Sequence, residues 1–177
     1  MTIKAAATIA SKTLLATVTA GLLGMSAVAS ADIFVDIPGI PGDSQDAQFR
    51  DTIRAIGATG TFNSGGCGVF TIVKNIDIAS PRLISSVIGG RLEPEVDIIY
   101  TAPGSSGGQT EFYRMTLETV RIARLKSSTS DDPNALPTEQ VNLRANSVTI
   151  THTALDAKGG AGIETSETVQ CFGKKAR

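Results

Sequence analysis

At 177 residues the chain has room for one domain and not two. An apolar share of 41% is too high for a disordered chain and too low and too interrupted for a multi-span membrane protein. Sixteen basic against 17 acidic residues leave a formal charge of −1, without the basic excess of a nucleic-acid-binding domain, and a single histidine argues against histidine-based metal sites and Ser/His/Asp catalysis. Composition alone therefore points to a binding or structural domain.

Residues 1–31 are a different kind of sequence from the rest. They carry Lys4 and Lys12, no acidic residue, an apolar stretch from Leu14 to Ala29, and a close of small residues, Ala29-Ser30-Ala31, before Asp32. Basic start, apolar middle and small residues at −3 and −1 are the order of a secretory signal peptide cleaved between Ala31 and Asp32. Thr and Gly dilute the apolar run, so stable membrane insertion is not expected; an uncleaved anchor and a true start at Met25, which would remove the export signal, are the other two readings. The expected organisation is a signal peptide over 1–31 and one domain over 32–177. That domain carries 14 basic and 17 acidic residues, a charge of −3.

From Asp32 the pattern is mostly of period two, which predicts a sheet protein. Ile33, Val35 and Ile37 form one face of a first strand; Pro38-Gly39-Ile40-Pro41-Gly42-Asp43 breaks it into a polar loop running to about Gln48. Phe49–Phe62 is extended with ambiguous faces, and Asn63-Ser64-Gly65-Gly66 is a turn. Phe70, Ile72, Ile76 and Ile78 share one parity of the next strand. Ser80 to Ile88 is the one helix: Ser80 is placed to cap it, Pro81 suits its first turn, Gly89 can end it, and Leu83/Val87 with Ile84/Ile88 form an apolar stripe that needs a sheet to pack on. In the strand from Glu93 to Thr101, Glu93, Glu95 and Asp97 read as a solvated face rather than a carboxylate site.

Two long strands follow, Gln109–Leu125 and Glu139–Thr153, separated by a polar loop, Ser127–Pro137. Each changes its apolar parity midway: from Met115 and Leu117 to Val120 and Ile122, and from Val141 and Leu143 to Val148 and Ile150. Such a change predicts a bulge near Glu118-Thr119 and another near Asn146-Ser147, and bulged long strands suit a strongly curved sheet or barrel.

Little in the chain carries chemistry. Phosphate loops, CxxC pairs, HExxH and GxSxG are missing. His152 reads as a sheet-face or core histidine, and Asp43 and Asp46 lack the oxygen-ligand spacing of a calcium loop. No catalytic residue, metal site or cofactor is expected. Cys67 and Cys171 allow one intramolecular pairing. In an oxidising compartment it would close a loop of about a hundred residues and contribute on the order of 4 kcal/mol; in a reduced cytoplasm the two remain thiols, and a bond between subunits is a third arrangement.

The order of segments resembles one family, Hcp, the tube protein of type VI secretion systems. Ala31-Asp32-Ile33-Phe34-Val35-Asp36-Ile37 is similar to its opening strand, and Gly39-Ile40-Pro41-Gly42-Asp43-Ser44-Gln45-Asp46 to its first loop. Ala79-Ser80-Pro81-Arg82-Leu83-Ile84 resembles the start of its single helix. Glu111–Val120, Pro137–Leu143 and Asp156-Ala157-Lys158-Gly159-Gly160 resemble its later strands and its last turn. The resemblance implies a β-barrel of two packed antiparallel-type sheets with one flanking helix (about 80–88). It implies a hexameric ring able to stack into a tube, effectors carried in the lumen, sheath and spike proteins as partners, and no catalysis. The chain departs from the family in its N-terminal leader, in the segment Phe49–Gly57, which lacks the aromatic residues, Trp included, that members often carry there, and in its two cysteines. A secreted or periplasmic location follows from the leader, a cytoplasmic one from a start at Met25. Ring contacts of a tube subunit are expected from strand edges and from the loops Pro38–Gln48 and Ser127–Pro137. The leader also opens the alternative of an exported Hcp-like interaction module, monomeric or ring-forming, outside the injection tube.

Overall fold

The computed structural model describes residues 31–104, 108–129 and 134–171. The expected signal peptide over 1–31 lies, apart from Ala31, outside the described residues. Ten strands and one helix follow in order: β1 (Ile33–Asp36), β2 (Ile53–Thr59), β3 (Phe62–Asn63), β4 (Gly66–Cys67), β5 (Phe70–Asn75), α1 (Ser80–Gly89), β6 (Leu92–Pro103), β7 (Gln109–Ser128), β8 (Thr138–Arg144), β9 (Ser147–Leu155) and β10 (Ala161–Gln170). The described residues are thus mainly β with one short helix, as expected.

Strands β7-β6-β1-β2-β5-β8 lie side by side, and β8 pairs back onto β7 to close an antiparallel barrel. The two packed sheets that the family resemblance implies are joined by continuous hydrogen bonding, because β7 is long enough to serve both. Its C-terminal half pairs with β8 and its N-terminal half with β9, which carries β10 outside the barrel. The barrel is filled by alternate residues of every strand: Val35, Ile53, Phe70, Ile72, Val96, Ile98, Met115, Leu117, Val120, Ile122, Val141 and Leu143 are all buried.

The expected changes of face in the long strands are present, and take the form of one line of bending rather than two separate bulges. On β6 the inward positions switch from Val96 and Ile98 to Glu93, and on β7 from Leu117 to Val120. The two strands stay in register across the switch, Val96 opposite Leu117 and Glu93 opposite Val120. The third strand breaks at Ala145-Asn146, between β8 and β9, and the N–H of Asn146 donates to the carbonyl of Glu118 (3.0 Å). Pro94, Thr119 and Asn146 therefore form a row, with Thr119 at φ 51 in the left-handed region that a β-branched residue rarely enters. Register is kept across the row itself, Glu118 opposite Ser147 and Arg121 opposite Arg144, and shifts by one residue only further along β7, between Ile122 and Arg124. Glu93, expected on a solvated face, is turned inward by this bend, where Ser86 Oγ donates to its Oε1 (2.6 Å) and Arg91 pairs with it.

Helix α1 covers one mouth of the barrel, with Leu83 set among Val35, Ile37, Ile53, Ile72 and Val141. Its details differ from expectation at both ends. Ala79 is the N-cap and makes no side-chain cap bond, while Gly90 rather than Gly89 takes the left-handed C-terminal position (φ 61). The buried face is Ser80, Leu83 and Ser86, whereas Ile84 and Ile88 of the expected stripe point outward, Ile88 at 82% exposure.

Candidate functional site

The sequence offers no catalytic set, and the features that stand out are those that hold the fold together and those left open for association. The first is the cysteine pair. Cys67, at the end of the β3–β4 hairpin, is bonded to Cys171, the residue after β10, across a sequence separation of 104. The intramolecular pairing is thus the arrangement found. Local backbone prepares it: the Cys67 N–H donates to the Cys171 carbonyl (3.3 Å), and the Cys171 N–H donates to the Asn146 carbonyl (2.8 Å). Gly66 sits at φ 117 with the Cys171 carbonyl so close that a Cβ there would lie 2.4 Å from it, so only glycine lets the hairpin approach.

The second is a buried charge cluster that strand periodicity missed. Lys74 occupies an inward position of β5 between Ile72 and the strand end, while Ile76 and Ile78, which the parity placed inward, fall beyond the strand and are exposed. Lys74 and Glu139 have side chains 1% and 2% exposed, with Nζ 3.1 Å from Glu139 Oε2 and 2.7 Å from Asp77 Oδ1. Ser80 Oγ, free of capping, donates to Glu139 Oε2 (2.7 Å) and accepts from Nζ (3.1 Å). The group ties β5, the start of α1 and β8 to one another, and the charges are buried because each is paired. The only signal for it in the sequence was a lysine at an inward parity. All three charged side chains, Lys74, Asp77 and Glu139, are sealed from solvent.

The other residues singled out from sequence separate in space. His152 lies exposed on β9, opposite Tyr113 on one side and Thr165 on the other, a sheet-face position as expected. Asp46 Oδ1 accepts the N–H groups of Gln48 (2.8 Å) and Phe49 (3.1 Å), a turn-forming role. The first loop is pinned rather than free. Gly42 N–H donates to Asp51 O and Ser44 N–H to Thr52 O, and a Cβ at Gly42 would meet the Thr52 carbonyl at 2.3 Å. Of the second loop, Ser127 and Ser128 extend β7. Asp32 is held by four bonds: its carbonyl accepts Thr101 N–H (2.9 Å) and Thr101 Oγ1–H (3.1 Å), and its carboxylate accepts Arg54 Nη2 (2.7 Å) and Gln109 Nε2 (2.9 Å).

Two surfaces are open for association among the described residues. One is the outer edge of β10, whose ten residues are all exposed and which pairs only with β9. The other is a cleft of about 450 Å³ lined by Ala31, Asp32, Asp43, Arg54 and Asp77 with the exposed apolar side chains of Ile56, Ile76 and Leu136. Exposed apolar clusters of this kind mark surfaces that associate.

Comparison with known proteins agrees with this geometry. A family model described as "Type VI secretion system effector, Hcp" matches residues 34–152. No curated protein matches the chain. Among solved structures the fold is similar to Hcp1 from Salmonella typhimurium, at 24% identity and TM-score 0.68, covering 77% of this chain and 93% of that one. It is similar also to a type six secretion system protein at 19% identity and TM-score 0.70, covering 78% and 94%, and to a type VI secretion system effector from Yersinia pestis at 23% identity and TM-score 0.64, covering 77% and 98%. With the family model spanning two thirds of its length and the barrel shared with these structures, the chain belongs to the Hcp family, the structural tube proteins of type VI secretion.

Proposed function

We propose that six copies of the domain over residues 32–177 close into a ring, that rings stack into a tube, and that the tube carries effectors without itself catalysing a reaction, with sheath and spike proteins as further partners. Family membership over residues 34–152 carries this reading. The surface supports it: Ile56, Ile76 and Leu136 around one cleft, and Ile84 and Ile88 on the helix, are large apolar groups left outside a barrel that has already filled its core. A barrel closed by β7–β8 pairing leaves β10 as its one long free edge among the described residues. A ring needs two different complementary surfaces on each subunit, so strand pairing at β10 alone does not close one, and side-chain packing must supply the rest. Sedimentation velocity at tens of micromolar tests this. A six-copy species is expected, converted to monomer by Ile56→Asp or Ile76→Asp with the Tm unchanged within about 2 °C; a monomeric wild type sinks the reading.

A second reading is favoured by the Cys67–Cys171 bond, which belongs in an oxidising compartment. In it the leader exports the chain, cleavage between Ala31 and Asp32 leaves a mature terminus at the first strand, and the barrel acts in the periplasm or outside the cell as an interaction module apart from the injection tube. Intact mass of the native protein from separated cell fractions decides between them. An external form beginning at Asp32 that gains two hydrogens on reduction supports export; a cytoplasmic form beginning near Met25 with free thiols returns the protein to the cytoplasmic tube.

A further inference from the structure

The bent row across β6, β7 and β8/β9 does more than curve the sheet. On β7, residues of odd number face inward before the bend, Met115 and Leu117, and the next two, Arg121 and Ala123, face outward after it. The left-handed Thr119 is what performs this switch, and it brings Arg121 to the outer surface instead of the core. There Arg121 lies directly opposite Arg144 of β8 in the register. Side chains at directly opposed positions of an antiparallel pair stand about 5 Å apart at Cβ, and like charges so placed repel.

Neither guanidinium is neutralised. Among the described residues no carboxylate lies within 4.0 Å of Arg121 or Arg144, although Arg54 and Arg91 each have one and Arg114 has two. Arg121 Nη1 passes over the C-terminal end of α1, 3.7 Å from where a Cβ on Gly90 would stand. The partial negative charge of a helix end is about half a unit at most, so the two guanidiniums remain a net cation. They border a surface cavity of about 300 Å³ completed by Leu92, Thr119 and Asn146. Asn146 has its backbone fixed from both sides, donating to Glu118 O and accepting from Cys171 N–H, which leaves its side-chain amide as a further donor held at the rim.

We propose that this cavity is an oxyanion-binding site: Arg121 and Arg144 receive a phosphoryl or carboxylate group between them, with Asn146 and Thr119 as the neutral donors. Two fork-shaped donors facing one cavity suit a group with several oxygens far better than a spherical halide, since each guanidinium can bond two oxygens at once. The strained backbone at Thr119 fits the same role, because such strain persists where it places a functional group. The ligand acts as the missing counter-charge of the bend, so its binding stiffens the junction at which β7 passes from β8 to β9.

Thermal unfolding of the full domain in inorganic phosphate, in succinate and in sodium chloride at one ionic strength tests this. For a millimolar site, 10 mM phosphate raises the wild-type Tm by roughly 4 °C over chloride. Arg121→Gln and Arg144→Gln abolish the rise, and in low-salt chloride each variant is at least as stable as wild type, because a repulsion has been removed. In NMR titration with phosphate the amides of Thr119 and Asn146 shift while those of β2 do not. A response to phosphate alone assigns a phosphoryl ligand; a response to succinate as well assigns the broader oxyanion class, carboxylates on a docked protein included. The proposal fails if neither anion exceeds chloride, if the variants respond as the wild type does, or if the shifts lie elsewhere.

Discussion

The barrel and the β9–β10 arm belong to one hydrogen-bonded sheet and are held by different physics. Barrel strands bury alternate residues completely, so their order is driven by apolar surface removed from water. Strand β10 buries nothing along its ten residues. It is held by its ladder to β9, by hydroxyl pairs between Thr149 and Thr168 (2.9 Å) and between Thr151 and Ser166 (3.1 Å), and by the disulfide at its end. Stability that comes from burial is shared by the whole barrel. Stability that comes from a ladder and a covalent tether is local, which makes the arm the part most free to open, or to pair with a neighbour.

Four measurements would break or sharpen that contrast. The largest effect is expected inside the barrel. Lys74→Met leaves Asp77 and Glu139 buried without their cation and should cost about 3–5 kcal/mol in urea unfolding, part of it recovered in the Lys74→Met/Glu139→Gln double variant. A cost under 1 kcal/mol would show the cluster to be wetter than its burial implies.

Next is the tether. Cys67→Ser/Cys171→Ser should lower global stability by up to about 4 kcal/mol through the unfolded chain, while native-state hydrogen exchange rises first in β10. Equal acceleration in β5 and β8 would mean that arm and barrel open as one unit. Thr168→Val, which breaks one hydroxyl pair, is expected to cost about 0.2–1 kcal/mol and to speed exchange in β10 alone.

The smallest effect concerns the turn of the arm. Asp156 Oδ1 accepts the N–H groups of Gly160 (2.8 Å) and Lys158 (2.7 Å), and these bonds, Gly160 foremost, hold its carboxyl below the usual aspartate value of 3.8. A carboxyl whose folded value is depressed stabilises above its unfolded pKa and loses that contribution as pH falls through the folded one. Exchange at Lys158 and Gly160, corrected for its intrinsic pH dependence, should therefore rise only below about pH 4, and Asp156→Asn should remove that dependence.

Much of this was legible in the residue order. Period-two alternation located β1, β5, β6, β7 and the run that divides into β8 and β9, because half-buried strands must alternate, whereas the faces of β2 stayed ambiguous, β3 and β4 read as a turn, and β10 was implied only by the family resemblance. Pro81 marked the start of the helix and Gly89 its end to within one residue, and parity changes found the bend to within a residue of Thr119. The two cysteines were available to pair, and their pairing is what the structure shows. What the pattern misplaced has one cause: periodicity records which residues alternate and is silent on what packs against them. Ile76 and Ile78 kept the parity of a core after their strand had ended. Glu93 alternated with solvated carboxylates and is nevertheless buried, because the bend at Pro94 turns it inward under Ser86.

By itself, then, the sequence determined a β-rich domain with one helix, its turns, its bend and its family, since these depend on local chain preferences and on motif order. Only the tertiary structure decided that β7 closes the barrel with one half and carries the arm with the other. It decided that Lys74 meets Glu139 across a separation of 65 residues, and that Arg121 faces Arg144. Those pairings are set by register between strands distant in the chain, and register is chosen by how the whole barrel fills its core, which no local pattern encodes.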